Sequence, residues 1–281
     1  MDGTVGTEGL RVLFVGDAIV DEYVYVEALG KSPKEHLIAT RHVGQERFEG
    51  GVKAAAAHLR TFVGEVEVLY GPQETLKRRF VDKTYVRKLF EVQYQYGGHH
   101  RTLEDISRFD VVVICDFGHG AITDGLKEKL EKEARFLVVN AQTNAANYGY
   151  NLITKYGRAD LVVIDEPEAR LAAGDRDSDI ETVMRGFSGF KRVIVTHGAQ
   201  GAYGLDQTGF WFEPAFTQKV VDTMGAGDAF LSVAAAYAAV GTPMRELLRI
   251  GNAAGALKTQ IIGHRRSITK GELVEYLAAN G

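Results

Sequence analysis

Val221-Asp222-Thr223-Met224-Gly225-Ala226-Gly227-Asp228-Ala229-Phe230 is a glycine-bracketed turn that opens onto an apolar run reaching Val240. Glycine lets the backbone turn sharply and approach a ligand closely. The first amides of a helix have no intrahelical partner and lie at the positive end of the dipole. The start of this helix is therefore an anion hole suited to a phosphoryl group in transit. Asp228, in the first helical turn, lies beside that hole and can accept the proton of an attacking hydroxyl. A carboxylate is a weak base for an alcohol, but phosphoryl transfer tolerates this because the transition state is loose and the proton moves late. A plain helix start, with Asp228 only stabilising the dipole, is the bland alternative. The full ten-residue string favours the chemical reading.

Upstream, short β-branched runs end in polar or glycine residues: Val12–Val15 before Gly16-Asp17, Val111–Ile114 before Cys115-Asp116, Phe136–Val139 before Asn140, Leu161–Ile164 before Asp165 and Val193–Val195 before Thr196-His197. Runs that are apolar on both faces predict buried parallel strands. Helix-like segments, Asp124–Glu133 and Glu166–Ala173, lie between them. The alternation predicts a doubly wound, mostly parallel α/β sheet with ligands at the carboxyl ends of the strands. Residues 22–48 and 75–96 break the alternation and read as lid strands that pair over one mouth of the core. Ala226–Val240, Met244–Lys258 and Thr269–Ala279 read as helices, the first stopped by Gly241-Thr242-Pro243.

The 281 residues are 45% hydrophobic, enough for one large domain or a core with a small appendage. A net charge of −4 offers no electrostatic footprint for nucleic acid or an acidic membrane. The apolar run Ala229–Val240 is too short to span a bilayer and contains Ser232. The N-terminus has neither the basic nor the apolar region of a signal peptide. Cys115 is the one cysteine, which excludes an intrachain disulfide and suits a cytoplasmic setting. It reads as a buried strand residue with no base beside it. The eight histidines show no metal-ligand spacing.

Asp222-Thr223-Met224-Gly225-Ala226-Gly227-Asp228 resembles the C-terminal signature of the ribokinase-like (PfkB) carbohydrate kinases. The resemblance covers nearly the whole chain. Gly16-Asp17 through Asp21 resembles that family's first strand and sugar-binding loop, and Gly50-Gly51 its double-glycine signature. Asp165-Glu166-Pro167-Glu168 stands where the family has Asn-x-x-Glu. Thr196 through Gly201 matches its nucleotide-side glycine loop, and Asn252 through Gly255 its adenine-flanking segment. Asp17 through Tyr23, Cys115 through Gly120 and Thr75–Val92 are most similar to the heptose-phosphate kinases.

This resemblance implies a single kinase domain over residues 1–281 with ATP and Mg2+ as cofactors. It implies Asp228 as base and the amides of Gly225, Ala226 and Gly227 as the cradle of the γ-phosphoryl. Asp17, Asp21, Gly50 and Gly51 would meet the sugar; Asp165 and Glu168 would orient Mg2+ through water, which that ion retains. Thr196, Gly198, Gly201, Asn252 and Gly255 would line the nucleotide. Backbone carbonyls at Asp222 and Thr223 hold a monovalent cation in several relatives, which extends the expectation to K+. The acceptor would be a small sugar or sugar phosphate, and the chain would pair as a homodimer through the lid.

Other residues carry open alternatives. Lys77 and Arg79 share a strand face and could clamp a phosphate on the substrate, or belong to a solvated face. Nucleic-acid contact by this basic stretch is disfavoured by the acidic balance and the absence of a nucleic-acid motif. His119, between glycines at a strand end, is either a substrate contact or a loop filler. The chain departs from the family at Ala54, where an Asn is usual, and at Asp165. Lys53 could replace the lost Asn with a charge suited to a phosphorylated acceptor. The segment between Tyr70 and Thr75 lacks the usual strand-helix unit. A nucleoside or unphosphorylated-sugar kinase, and a catalytically silent binding homologue, are therefore the competing expectations.

Overall fold

The computed structural model describes residues 6–71, 73–85, 87–95, 105–216 and 220–280. In chain order, β1 (Arg11–Gly16) is followed by β2 (Ala18–Lys31), β3 (Ile38–Gly51), α1 (Val52–Leu59), β4 (Glu65–Tyr70), β5 (Thr75–Asp82), β6 (Arg87–Tyr94) and β7 (Val111–Asp116). Then come α2 (Asp124–Glu133), β8 (Leu137–Ala141), β9 (Leu161–Asp165), α3 (Glu166–Ala173), α4 (Ile180–Arg185) and β10 (Val193–Thr196). The chain closes with β11 (Gly201–Asp206), β12 (Gly209–Pro214), α5 (Ala226–Ala239), α6 (Met244–Lys258) and α7 (Lys270–Ala279).

The strands form an eight-stranded sheet of order β12-β11-β10-β9-β8-β7-β1-β4 and a four-stranded sheet of order β3-β2-β5-β6. In the large sheet every pairing is parallel except the two made by β11. Its apolar runs divide by the two-residue period of a strand. Val12, Phe14, Val111, Val113, Val138 and Val163 face a core with α1, α5, α6 and α7. Leu13, Val15, Val112, Ile114, Val139 and Val162 face a second core with α2, α3 and α4. Helices on both faces are why these strands carry apolar residues without alternation.

The small sheet is the expected lid, but its first two strands run past the expected 22–48, to Ala18 and Gly51. The lid thus grows directly out of β1, with Asp17 alone between them. Its other pair, β5 and β6, matches the segment read as 75–96 as far as Tyr94; residue 96 lies outside the described residues. The antiparallel β11–β12 hairpin was not foreseen. Helix α5 is buried nearly all round, which its alanines permit. Ser232 within it is satisfied, its hydroxyl lying 2.7 Å from the carbonyl oxygens of both Ala55 and Asp228. Helix α1 and helix α5 are tied together by the first of these contacts. Ala54 is buried in α1 and packs into the interior.

Candidate active site

The parallel strands all end at one edge, and α5 begins there. A cavity of about 570 Å3 opens at this edge. Asp228, Ala226, Gly227 and Thr223 line one wall; Asp165, Glu168 and Thr196 line the strand-end wall; Gly198, Gly201, Asn252 and Gly255 line the far end. Gly225 is the residue before the helix, at φ 75°, a left-handed conformation glycine adopts without strain. A second recess, about 970 Å3, lies at the opposite edge among Arg135, Arg185, Lys191, Arg192 and Arg245. Its cations are engaged by Asp110, Glu181, Asp160, backbone carbonyls and Glu213 respectively. It carries no chemistry comparable to the first.

Asp228 is half-buried at the start of α5, and its carboxyl is raised to about 6. Loss of solvent is the main cause and Asp21 the second; Lys258 and Lys77 pull the other way. A carboxylate of this affinity is a better base than an exposed one.

Asp165 and Glu168 form a capping box at the start of α3. Asp165 accepts from the Glu168 amide at 2.8 Å, and Glu168 accepts from the Asp165 amide at 2.9 Å. Asp and Asn cap helices about equally well, so Asp165 keeps the local structure that Asn would give. Glu168 also accepts from the Thr143 amide at 3.0 Å. Burial, and then Asp165, raise its carboxyl to about 8. No cation pairs with it among the described residues. Hard oxygen donors on a cavity wall without a neutralising cation fit Mg2+ carried by a nucleotide. Among the described residues no three His, Cys, Asp or Glu side chains converge as a metal site.

The nucleotide-side glycines have local reasons. Gly201 is at φ 126°, and a Cβ there would collide with the Glu213 carbonyl. Asn252 donates to the carbonyls of Glu213 and Pro214 at 2.9 and 3.1 Å, fixing α6 against β12. The Asp222 carboxylate accepts from the amides of Met224 (3.1 Å) and Gly263 (2.9 Å), bracing the turn before α5.

Of the expected sugar-side residues, Asp21 and Lys77 on the lid act electrostatically on Asp228, and several of the set have protein partners. Asp17 accepts from the amides of Phe117, His119 and Ala121, at 2.9, 3.3 and 2.9 Å. Three of its lone pairs thus organise the loop after β7, which leaves about one for a hydroxyl. Asp21 is paired with Arg79 and lies 3.6 Å from His264 Nε2. A Cβ at Gly50 would collide with Asp21, and one at Gly51 with the Asp17 carbonyl. Gly50 is therefore required by the Asp21 carboxylate, and Gly51 by the Asp17 backbone carbonyl and its own φ of 59°.

Two expectations need correction. Lys53 does not reach the cleft: its ammonium is paired with Glu74 and with Glu49 at 3.4 Å, over the Tyr70 ring. Nor do Lys77 and Arg79 form a free pair of cations, because Arg79 is held by Asp21 and by Glu91 at 2.7 Å. Lys77 has no ion-pair partner among the described residues, although it is 8% exposed. Burial, and then Arg79, lower its affinity for a proton below the ordinary lysine value, against the opposing pull of Glu91, Asp21 and Asp17. His119 lies 3.4 Å from Asn144 Nδ2 through Nε2, and its buried Nδ1 has no partner among the described residues. Desolvation, and then Lys77, bring its pKa down to about 4, so the ring is neutral.

Two participants were missed in the sequence. His264 sits between Asp21 and the Gly225 turn. Lys258 is 0% exposed at the end of α6. Leu247, Gly251, Ala254 and Lys258 follow helical spacing on one buried face, and a charge on that stripe was the available signal.

The pfkB family carbohydrate kinase model matches residues 84–270. The chain belongs to this family. A curated relative of this kinase, the Bifunctional protein HldE of Shewanella piezotolerans, is 23% identical over 99% of the chain. The chain spans 65% of that relative's length. Ribokinase from Thermotoga maritima superposes with a TM-score of 0.75 at 18% identity, covering 96% of this chain and 99% of that one. Phosphofructokinase-2 from Escherichia coli in complex with potassium gives a TM-score of 0.69 at 16% identity, covering 97% and 100%. The kinase shares their ribokinase-like fold. Among its described residues, no helix is long and apolar enough to cross a membrane.

Proposed function

We propose that this kinase transfers the γ-phosphoryl group of ATP to a hydroxyl of a sugar phosphate of the heptose-phosphate class. The observation that carries the reading is Asp228: a carboxyl in the first turn of α5, on the wall of the strand-end cavity beside the helix-start residues Ala226 and Gly227, and raised to about 6. The amides of Gly225, Ala226 and Gly227 hold the migrating group as its charge spreads over the equatorial oxygens. Asp228 orients the acceptor hydroxyl and takes its proton. Glu168 and Asp165 would hold Mg2+ through water, and the ion when bound would supply charge neutralisation at the nucleotide phosphates. The segment from Thr196 to Gly201, with Asn252 and Gly255, forms the nucleotide end.

A phosphorylated acceptor is supported by Lys77, a cation near Asp228 with no carboxylate ion pair among the described residues, and by the likeness to HldE. A nucleoside or unphosphorylated sugar is the second reading, favoured by the engagement of Arg79 with Asp21 and Glu91. A homodimer through the lid belongs to the same proposal, since Leu29, Ile38, Leu89 and Phe90 are exposed there. ATP as donor and one unpaired cysteine accord with a cytoplasmic enzyme.

An ADP-release screen over sugars, sugar phosphates and nucleosides tests the substrate class. Asp228→Asn should lower kcat about 10²–10⁴-fold with folding intact. Wild-type turnover in that variant would remove Asp228 from the role of base.

A further inference from the structure

We propose that the Lys258 ammonium stands in for the monovalent cation under the phosphoryl-binding turn, so that this kinase works without K+. Lys258 Nζ donates to the carbonyls of Met224 at 2.7 Å, Gly263 at 2.7 Å and Ile261 at 3.3 Å. An ammonium has three donors and no acceptor, so three carbonyls complete its hydrogen bonding. A wholly buried lysine is rare unless it is paired. No carboxylate forms an ion pair with this one among the described residues. Carbonyl oxygens from separate loops converging on a single positive charge are the donor set of a monovalent cation. K+ and a primary ammonium are alike in charge and similar in size, and here the cation is tethered to the chain.

The surroundings tie this cation to the anion hole. The Asp222 carboxylate stitches the turn at Met224 to the loop at Gly263 through their amides. The ammonium joins the same two loops through their carbonyls. The lysine stem lies under the first glycine of the motif: a Cβ at Gly225 would come 3.1 Å from Lys258 Cε and 2.8 Å from His264 Cε1. In a trans peptide the carbonyl and the following N–H point in opposite directions. Fixing the Met224 oxygen on Lys258 therefore also fixes the Gly225 N–H, on the side away from the lysine. The positive charge additionally favours ionised Asp228. Lys258 is thus a positioning residue. The ammonium takes the carbonyls of Met224, Ile261 and Gly263; those of Asp222 and Thr223, expected to hold K+, are not among its acceptors.

The catalytic part of this inference rests on the kinase reading above; the cation-binding part does not. The test compares wild type with Lys258→Ala in choline, sodium, potassium and ammonium chlorides at constant ionic strength. For wild type, the melting temperature and ADP release should be the same in all four salts. Lys258→Ala should melt lower in choline and regain about 3 °C or more in potassium or ammonium, with sodium weaker. Its turnover should rise at least about tenfold on replacing choline by potassium, as the reopened carbonyl site fills. Lys258→Met, which fills the volume without charge, should show no potassium-selective gain. Potassium dependence in wild type, or no ion selectivity in Lys258→Ala, would overturn the proposal. The wild-type arm decides even if Lys258→Ala does not fold, and the melting arm stands whether or not any acceptor is phosphorylated.

Discussion

Asp228 illustrates a conflict between stability and chemistry at a single residue. Its carboxyl is raised from 3.8 to about 6 in the folded chain. The folded state therefore holds the proton more tightly than the unfolded state does. The contribution of this group to stability is full below pH 4 and is lost as pH rises through 6. At pH 7 the ionised side chain is a net cost, so Asp228→Asn should be more stable by about 1–2 kcal/mol in urea unfolding, while losing turnover. The catalytic sign is the reverse. A base must be deprotonated, so kcat/KM should fall with unit slope below pH about 6 and level above it. An acid limb that persists unchanged in the Asn variant would assign the ionisation to another group.

At the scale of elements, the lid brings side chains with opposite duties from neighbouring positions on β5. Arg79 is a structural cation: removing it leaves the buried Asp21 carboxylate without its charge partner, beside the more exposed Glu91. Arg79→Met should cost about 2–4 kcal/mol in unfolding free energy. Lys77→Met removes a desolvated charge with no ion-pair partner among the described residues. It should leave stability unchanged or higher, while raising KM about tenfold or more for a phosphorylated acceptor and little for an unphosphorylated one. Equal effects of Lys77→Met on both acceptors would favour the second reading of the substrate. The difference between Lys77 and Arg79 was not legible in their shared strand face. It depends on Asp21 and Glu91, which reach Arg79 from the two strands beside it. The parallel strands were legible because helices on both faces force unbroken apolar runs. The start of β2 at Ala18 was not, because Asp17 marks a strand end in sequence yet is buried here against a loop about 100 residues away.

Across the whole molecule, the order of the large sheet explains what was foreseen and what was not. Parallel strands ending at one edge had to gather Asp165, Thr196 and the α5 start at a common rim. The partners that refine the site come from distant segments: Tyr23 donates to Met224 Sδ at 3.0 Å, and Arg265 pairs with Glu46 at 2.9 Å. Local pattern carries no trace of such contacts. The exposed lid surface is the other large-scale feature. Ile38 is 71% exposed and Phe90 55%, and a sheet so faced should pair with a second copy. Sedimentation should give a dimer at micromolar concentration, and Ile38→Lys with Phe90→Lys a monomer. A wild-type monomer throughout would remove the lid interface. Finally, Cys115 lies at the middle of the large sheet, fully enclosed, with burial raising its thiol well above the ordinary range. A thiol reagent reaches it only when β7 comes apart from its neighbours. Each labelling event therefore records one opening of the core, and a ligand that clamps the cleft slows that internal clock in proportion to its occupancy.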